Sequence, residues 1–198
     1  MSVHKNKSML RAFLEEKLDS IYDVTNILRL KMRFRNSVIR NPLEISFSNL
    51  NNVNISDNVV INPNCVIRII GNCHLYIGEG TIIDSHCHIS GAQNKIVIGK
   101  EVGISERVFI STTDHRYDDI TKPIKSQGFI SRGDVVIDDE CWIGIGSSIL
   151  SGVNIGKHSV IGANSVVTQD ISPYSVAVGN PARVIRRYDQ SEKRWVRV

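Results

Sequence analysis

No stretch of this 198-residue chain approaches the roughly 18 consecutive apolar residues that a membrane-crossing helix needs. The N-terminus, MSVHKNKSMLRAFLEEKL, also lacks the apolar run and small-residue cleavage site of a signal peptide, so the sequence predicts a cytoplasmic protein. Its four cysteines, Cys65, Cys73, Cys87 and Cys141, have no C-x-x-C spacing. That excludes a zinc knuckle and a disulfide scaffold, and it predicts reduced, mostly buried thiols. Neither sign of charge dominates: Lys plus Arg number 24 against 20 Asp plus Glu, for a net charge of +4. An obligate nucleic-acid binder would be far more basic, whereas a small anionic ligand fits this balance. With 41% hydrophobic and 22% charged residues, the chain has the composition of an ordinary globular protein with one main core.

What is present divides into two textures. From Met9 to Arg40 there is no Gly or Pro, and apolar residues recur at mixed three- and four-residue spacing, which predicts a helix or helix pair ending at Asn41-Pro42. Beyond it the period becomes six. Ile55, Ile61 and Ile67 are followed by Ile77, Ile83 and Ile89, then by Ile98, Ile104 and Ile110, and the series resumes as Ile137, Ile143, Ile149, Ile155, Ile161 and Val167. Four residues after most of these sites stands a small or slim side chain, among them Val59, Cys65, Thr81, Cys87, Ser147 and Ser165. The exceptions, Gly71, Gln93 and Asp114, fall where the register breaks by four, three and twenty-one extra residues, so the breaks mark loops leaving a repeat.

A six-residue period describes a coil with flat sides. A short strand points one aliphatic side chain inward, a turn redirects the chain by about a third of a revolution, and three hexapeptides close a triangular coil stacked about 4.8 Å on the last. Gly, Asn or Asp directly after the aliphatic residue, as in Ile77-Gly78 and Ile143-Gly144, is read as supplying the unusual backbone angles of the turn. The expected fold is mainly β, a parallel β-helix. An antiparallel barrel would need period-two alternation and hairpin signals, which are sparse here.

The segment GDVVIDDECWIGIGSSILSGVNIGKHSVIGANSVVTQDISPYSVAVGNPARVIRRY resembles the hexapeptide-repeat acyltransferases, in the branch of galactoside, maltose, xenobiotic and polysaccharide O-acetyltransferases. The similarity runs from about Ile55 to Tyr188. It implies a left-handed coil, an exception to the usual right-handed crossover, and a homotrimer with active sites between subunits. The expected organisation is a helical segment over 1–50, a β-helix over 51–188 with a loop at 111–136, and a tail over 189–198.

An excursion as long as Ser111 to Val136 inside a compact repeat is read as functional, because most loops beyond about 12–15 residues either work or disorder. It carries His115, and an imidazole is suited to taking a proton from a hydroxyl at neutral pH. The resemblance implies that His115 is the catalytic base, in direct transfer from acetyl-CoA to a sugar hydroxyl with no covalent enzyme intermediate. It further implies that Trp142 borders the base, that Ile145 offers a backbone N–H near the thioester, that Ala163 and Thr168 line the pantetheine path, and that Arg183 and Arg186 meet phosphate. Asp114, Tyr117, Asp118 and Asp119 are read as an acceptor rim or as a solvated turn. Ser85 stands where the family often has an acceptor-site asparagine, and Gln169 where a lysine often follows the position of Thr168. Both departures weaken the acceptor assignment.

The expected function is therefore acetyl-CoA-dependent O-acetylation of a sugar hydroxyl, in a bacterial surface polysaccharide or its precursor. N-acetylation of an amino sugar on the same scaffold and a non-catalytic scaffold are the alternatives. No metal is expected: Cys73-His74 and His86-Cys87-His88 give no four-ligand spacing. A zinc hydrolase on this fold needs three converging histidines, whereas the loop has only His115, with Ile120 and Ile124 nearby. A carbohydrate acceptor and no nucleic acid are the expected partners. The basic, apolar segment IYDVTNILRLKMRFR suits either an anionic membrane surface or a cap on the coil end.

Overall fold

A computed structural model describes residues 25–41 and 43–198. Residues 1–24 of the expected helical segment lie outside the described residues. Helix remains over 25–33, where Leu30 is fully buried in the main core and Ile27 packs beside it, as does Phe34 just after the helix. Among the described residues no helix is long and apolar enough to cross a membrane.

The six-residue period becomes a parallel β-solenoid of about six coils with three flat faces. The first face stacks Val38–Ile39, Val60–Ile61, Ile82–Ile83, Gly103–Ile104, Trp142–Ile143 and Val160–Ile161. The second stacks Leu43–Phe47, Cys65–Ile69, His88–Gly91, Phe109–Ser111, Ser148–Ile149 and Val166–Val167. The third stacks Val53–Ile55, His74–Ile77, Lys95–Ile98, Val135–Ile137 and Asn154–Ile155. Each periodic residue pairs with its counterpart one coil away, as in Ile61↔Ile83, Ile67↔Ile89 and Ile77↔Ile98. All fifteen point into one core and are buried. Burying each such side chain contributes roughly 1.5–3 kcal/mol before chain entropy is subtracted.

The slim residues occupy corners, and several close polar bonds to the next coil. Thr81 Oγ1 donates to the Gly99 carbonyl at 2.8 Å, Ser147 Oγ to Gly162 at 3.0 Å, and Ser159 Oγ to Ser172 at 3.1 Å. Cys65 and Cys87 do the same to Asp84 and Ser105, each at 3.1 Å. A buried hydroxyl left without a partner would cost about 1–3 kcal/mol. All four thiols are free and buried.

The corner geometry corrects one reading of the sequence. The glycine that follows the aliphatic residue is not where the backbone turns left-handed. That conformation falls two residues later, at His86, Glu140, His158 and Asn164 (φ 54–63°). The glycine answers to close approach instead: a Cβ on Gly99 would lie 2.6 Å from the Asp139 nitrogen, and one on Gly144 2.7 Å from that of Ala163.

The coils also begin earlier than residue 51. Val38–Ile39 and Leu43–Phe47 already pair in parallel with Val60–Ile61 and Cys65–Ile69. At the other end, Ser175–Val178 turns back antiparallel to Arg183–Asp189, which pairs with Arg194–Arg197. Residues expected to form a tail thus extend the first face.

Candidate active site

All three register breaks leave the same corner, between the second and third faces, on successive coils: 69→74, 91→95 and 111→135. The longest forms a two-stranded arm in which Asp114 pairs with Ile130 and His115 with Phe129. Its stem is held by hydroxyls. Thr112 Oγ1 donates to Gln93 O at 2.8 Å, Ser151 Oγ donates to Thr112 O at 2.9 Å, and the Ala92 N–H donates to Thr113 Oγ1 at 3.1 Å. The tip is organised by Asp119 and Gln127. The Asp119 carboxylate accepts from Thr121 N and Oγ1 and pairs with Lys122 Nζ at 2.8 Å, while Gln127 Nε2 donates to the Asp119 and Lys122 carbonyls. The Lys122 ammonium, then Thr121, hold this carboxyl below the usual carboxylate range.

His115 is exposed on the arm, its ring 4.7 Å from that of Phe129. Among the described residues no acidic side chain hydrogen-bonds its imidazole. Asp114 lies 3.8 Å from Arg132, Asp118 lies 3.8 Å from Arg116, and Asp119 is engaged by Lys122, so each of these three carboxylates faces a cation of the arm. His115 lines two cavities. One, of about 270 Å³ towards the C-terminal coils, is shared with Asp114, Tyr117, Arg132, Leu150 and Thr168. The other, of about 390 Å³ over the earlier coils, is shared with Arg68, His88, Ser90, Phe109 and Phe129.

The remaining expected site residues gather elsewhere on the same chain. Ile145 and Ala163 occupy the corner between the first and second faces on consecutive coils, and the Ile145 carbonyl accepts from Asn164 N at 2.8 Å. Neither residue's own N–H donates to a described protein acceptor. Ser85 lies at the same corner two coils earlier, its N–H held by Asp84 Oδ1 at 3.0 Å. Trp142 is exposed on the first face, with Nε1 donating to Ser105 Oγ at 3.1 Å. The register Trp142↔Val160↔Val176↔Arg186 puts Arg186 on the same outward line, three strand spacings or about 14 Å away. A bulge at Ile185 brings Arg183, opposite Val178, onto that side as well.

One chain therefore unites His115 with Thr168, Asp114 and Tyr117. It separates them by the width of the second face from Ile145 and Ala163, and leaves Trp142, Arg183 and Arg186 on the first face. Sequence reading missed Arg68, His88, Phe109 and Phe129. The signal of the first three was available only by stacking the hexads coil on coil, because outward positions obey no period, and Phe129 reaches the site only through the pairing of the arm's two strands. Among the described residues no group of three or more His, Cys, Asp or Glu side chains could hold a metal ion.

Comparison with known proteins agrees with this architecture. The profile of the bacterial transferase hexapeptide family (six repeats) matches residues 134–169. A Saccharomyces cerevisiae protein named as an acetyltransferase is 41% identical over 138 residues, covering 69% of this chain and 67% of the relative. The solved maltose O-acetyltransferase from Clostridium difficile 630 is 31% identical with a TM-score of 0.54, covering 75% of this chain and 71% of that one. The chain belongs to the hexapeptide-repeat acetyltransferases.

Within this family, WbbJ of Escherichia coli K12, named as a lipopolysaccharide biosynthesis O-acetyl transferase, is 27% identical over 87% of the chain and 90% of its own length. The N-acyltransferase AntD from Bacillus cereus, at 22% identity and a TM-score of 0.68 over 83% of this chain and 89% of that one, shares the fold. Coverage of relatives varies: the chain spans only 34% of a Mycobacterium tuberculosis protein named as an acetyltransferase, which is 39% identical over 110 residues, or 56% of this chain.

Proposed function

We propose that this acetyltransferase transfers the acetyl group of acetyl-CoA to a sugar hydroxyl, in a bacterial surface polysaccharide or its precursor, with His115 as general base. The observation that carries this reading is that His115 lines a cavity on each side of the arm, so a donor and an acceptor can approach one imidazole from opposite directions. The imidazole takes the hydroxyl proton as the oxygen attacks the thioester carbonyl carbon. The tetrahedral intermediate collapses with cleavage of the C–S bond, and the thiolate of CoA leaves with the proton from the imidazolium. A backbone N–H stabilises the oxyanion, and the free N–H of Ile145 is suited to that task.

The donor runs along the later coils, past Ala163 and Thr168, with its phosphates towards Arg183 and Arg186, since guanidinium forks match phosphate oxygens. Ile145, Ala163 and His115 stand on opposite edges of one face. A homotrimer that seats the arm of one copy against the corner of the next unites them, and the site is incomplete without that second copy. The reaction is placed in the cytoplasm, where acetyl-CoA is made.

The test follows thiol release from acetyl-CoA by wild type and His115→Ala over a panel of sugars and amino sugars, with product analysis. Ester products lost in the variant, with CoA binding retained, support the proposal. Amide products turn it to N-transfer, and full activity in the variant overturns His115 as base.

A further inference from the structure

We infer that the 390 Å³ cavity over the earlier coils is a subsite for a second sugar residue of the acceptor, so that the enzyme acts on a glycan of at least two residues rather than on a monosaccharide. This inference rests on the acetyl-transfer reading above. The cavity starts at His115 and Phe129 on the arm and runs along the outward side of the second face. The ladder gives its floor: His88↔Phe109 in one row and Arg68↔Ser90↔Ser111 in the next. From Phe109 back to Arg68 is two coil spacings across and two residues along, about 12 Å, longer than one pyranose ring. The volume lies within the roughly 300–1,000 Å³ of ordinary ligand pockets.

The lining chemistry identifies the occupant. His88 and Phe109 stand 5.4 Å apart with a tilt of 44°, and His115 and Phe129 4.7 Å apart, so aromatic faces are available for the axial C–H face of a pyranose. Burial, then the charge of Arg68, hold the His88 imidazole below its ordinary range, which keeps it an uncharged surface at neutral pH. On the rim Arg68 is paired with Glu44, a row of donors beside a carboxylate with no net charge. Such a pair suits the hydroxyls of a neutral sugar. It does nothing for an alkyl chain, the other occupant an apolar floor could take.

The experiment compares glucose with maltose and maltotriose, galactose with lactose, and N-acetylglucosamine with chitobiose, in wild type, Phe109→Ala and Arg68→Ala. Both side chains point outward and are partly exposed, so both variants should fold. The disaccharide of at least one series is expected to have the lower KM. Phe109→Ala should raise that KM on the order of tenfold, leaving the KM for acetyl-CoA and for the monosaccharide within about twofold. Arg68→Ala should do the same more weakly. Saturation-transfer NMR of the same sugars on His115→Ala protein reads binding without turnover, so loss of the subsite is distinguishable from failure of the acetyl-transfer reading. Equal KM values for mono- and disaccharides, or variants that alter only the preference between acetyl- and butyryl-CoA, overturn the proposal. In the second case the cavity belongs to the acyl chain.

Discussion

The coils and the arm solve the same problem by opposite means. In the coils every inward position repeats, and order comes from aliphatic side chains stacked on themselves. In the arm almost nothing apolar is buried: Ile120 is 97% exposed and Ile124 and Phe129 more than half exposed, and order comes from side-chain to main-chain bonds around Asp119 and Gln127. Repetition stabilises and irregularity positions. Substitutions in the two regions should accordingly fail in different ways, one losing stability and the other activity.

The largest effect should come from the arm. His115→Ala should lower kcat by about 10²- to 10⁴-fold, the usual contribution of a general base, with an unchanged Tm. In the coils the reverse is expected. Ile104→Ala opens a cavity in a side chain that is 2% exposed, and should cost about 2–5 kcal/mol in denaturant unfolding while the residual folded protein keeps its KM values. Joining the two regions across copies gives a sharper test. His115→Ala and Ala163→Trp should each be inactive alone, and equal mixtures refolded together should recover about one quarter of wild-type activity if each site takes one region from each of two copies. No recovery would mean that a single copy holds the whole site.

Smaller effects probe how the arm is held. Asp119→Asn should lower kcat/KM about threefold to tenfold and leave Tm unchanged, because it loosens the tip and not the coils. The pH dependence has a definite sign. The Asp119 carboxyl titrates below its ordinary 3.8, so its ordering contribution is complete above that value and is lost as pH falls through the depressed one. Hydrogen exchange of the tip should thus be flat with pH, after correction for intrinsic rates, until well into the acid range. Least of all should change at the thiols. Burial pushes Cys141 up to about 11 and raises Cys73, and the Cys65 side chain, then burial, raises Cys87; Cys65 is lowered by its bond with Cys87 but is only 1% exposed, so native protein should react negligibly with a thiol reagent at neutral pH and fully once unfolded.

The same contrast explains what the sequence made legible. All fifteen periodic residues are interior, because a flat strand has one inward position per side and only branched aliphatics fill it. The first coil escaped notice because Leu43, Ile45 and Phe47 alternate with period two along one long strand, so no hexad announces it. His115 and Thr168 could be named from the sequence, and the structure brings both to one cavity. Arg68, His88 and Phe109 could not. They become neighbours only through pairing across shifts of 21 or more residues, and register breaks of four and three residues obscure which coil lies on which.

The three register breaks that share one corner have a consequence for how this chain can be altered. An excursion there closes on an anchored base, and its entropy grows only with the logarithm of its length, so doubling it should cost about 0.6 kcal/mol. At Gly144 even one added carbon collides with the backbone of the next coil. Grafting a foreign arm between Ser111 and Val135 should therefore be tolerated, while a single inserted residue at the opposite edge should not.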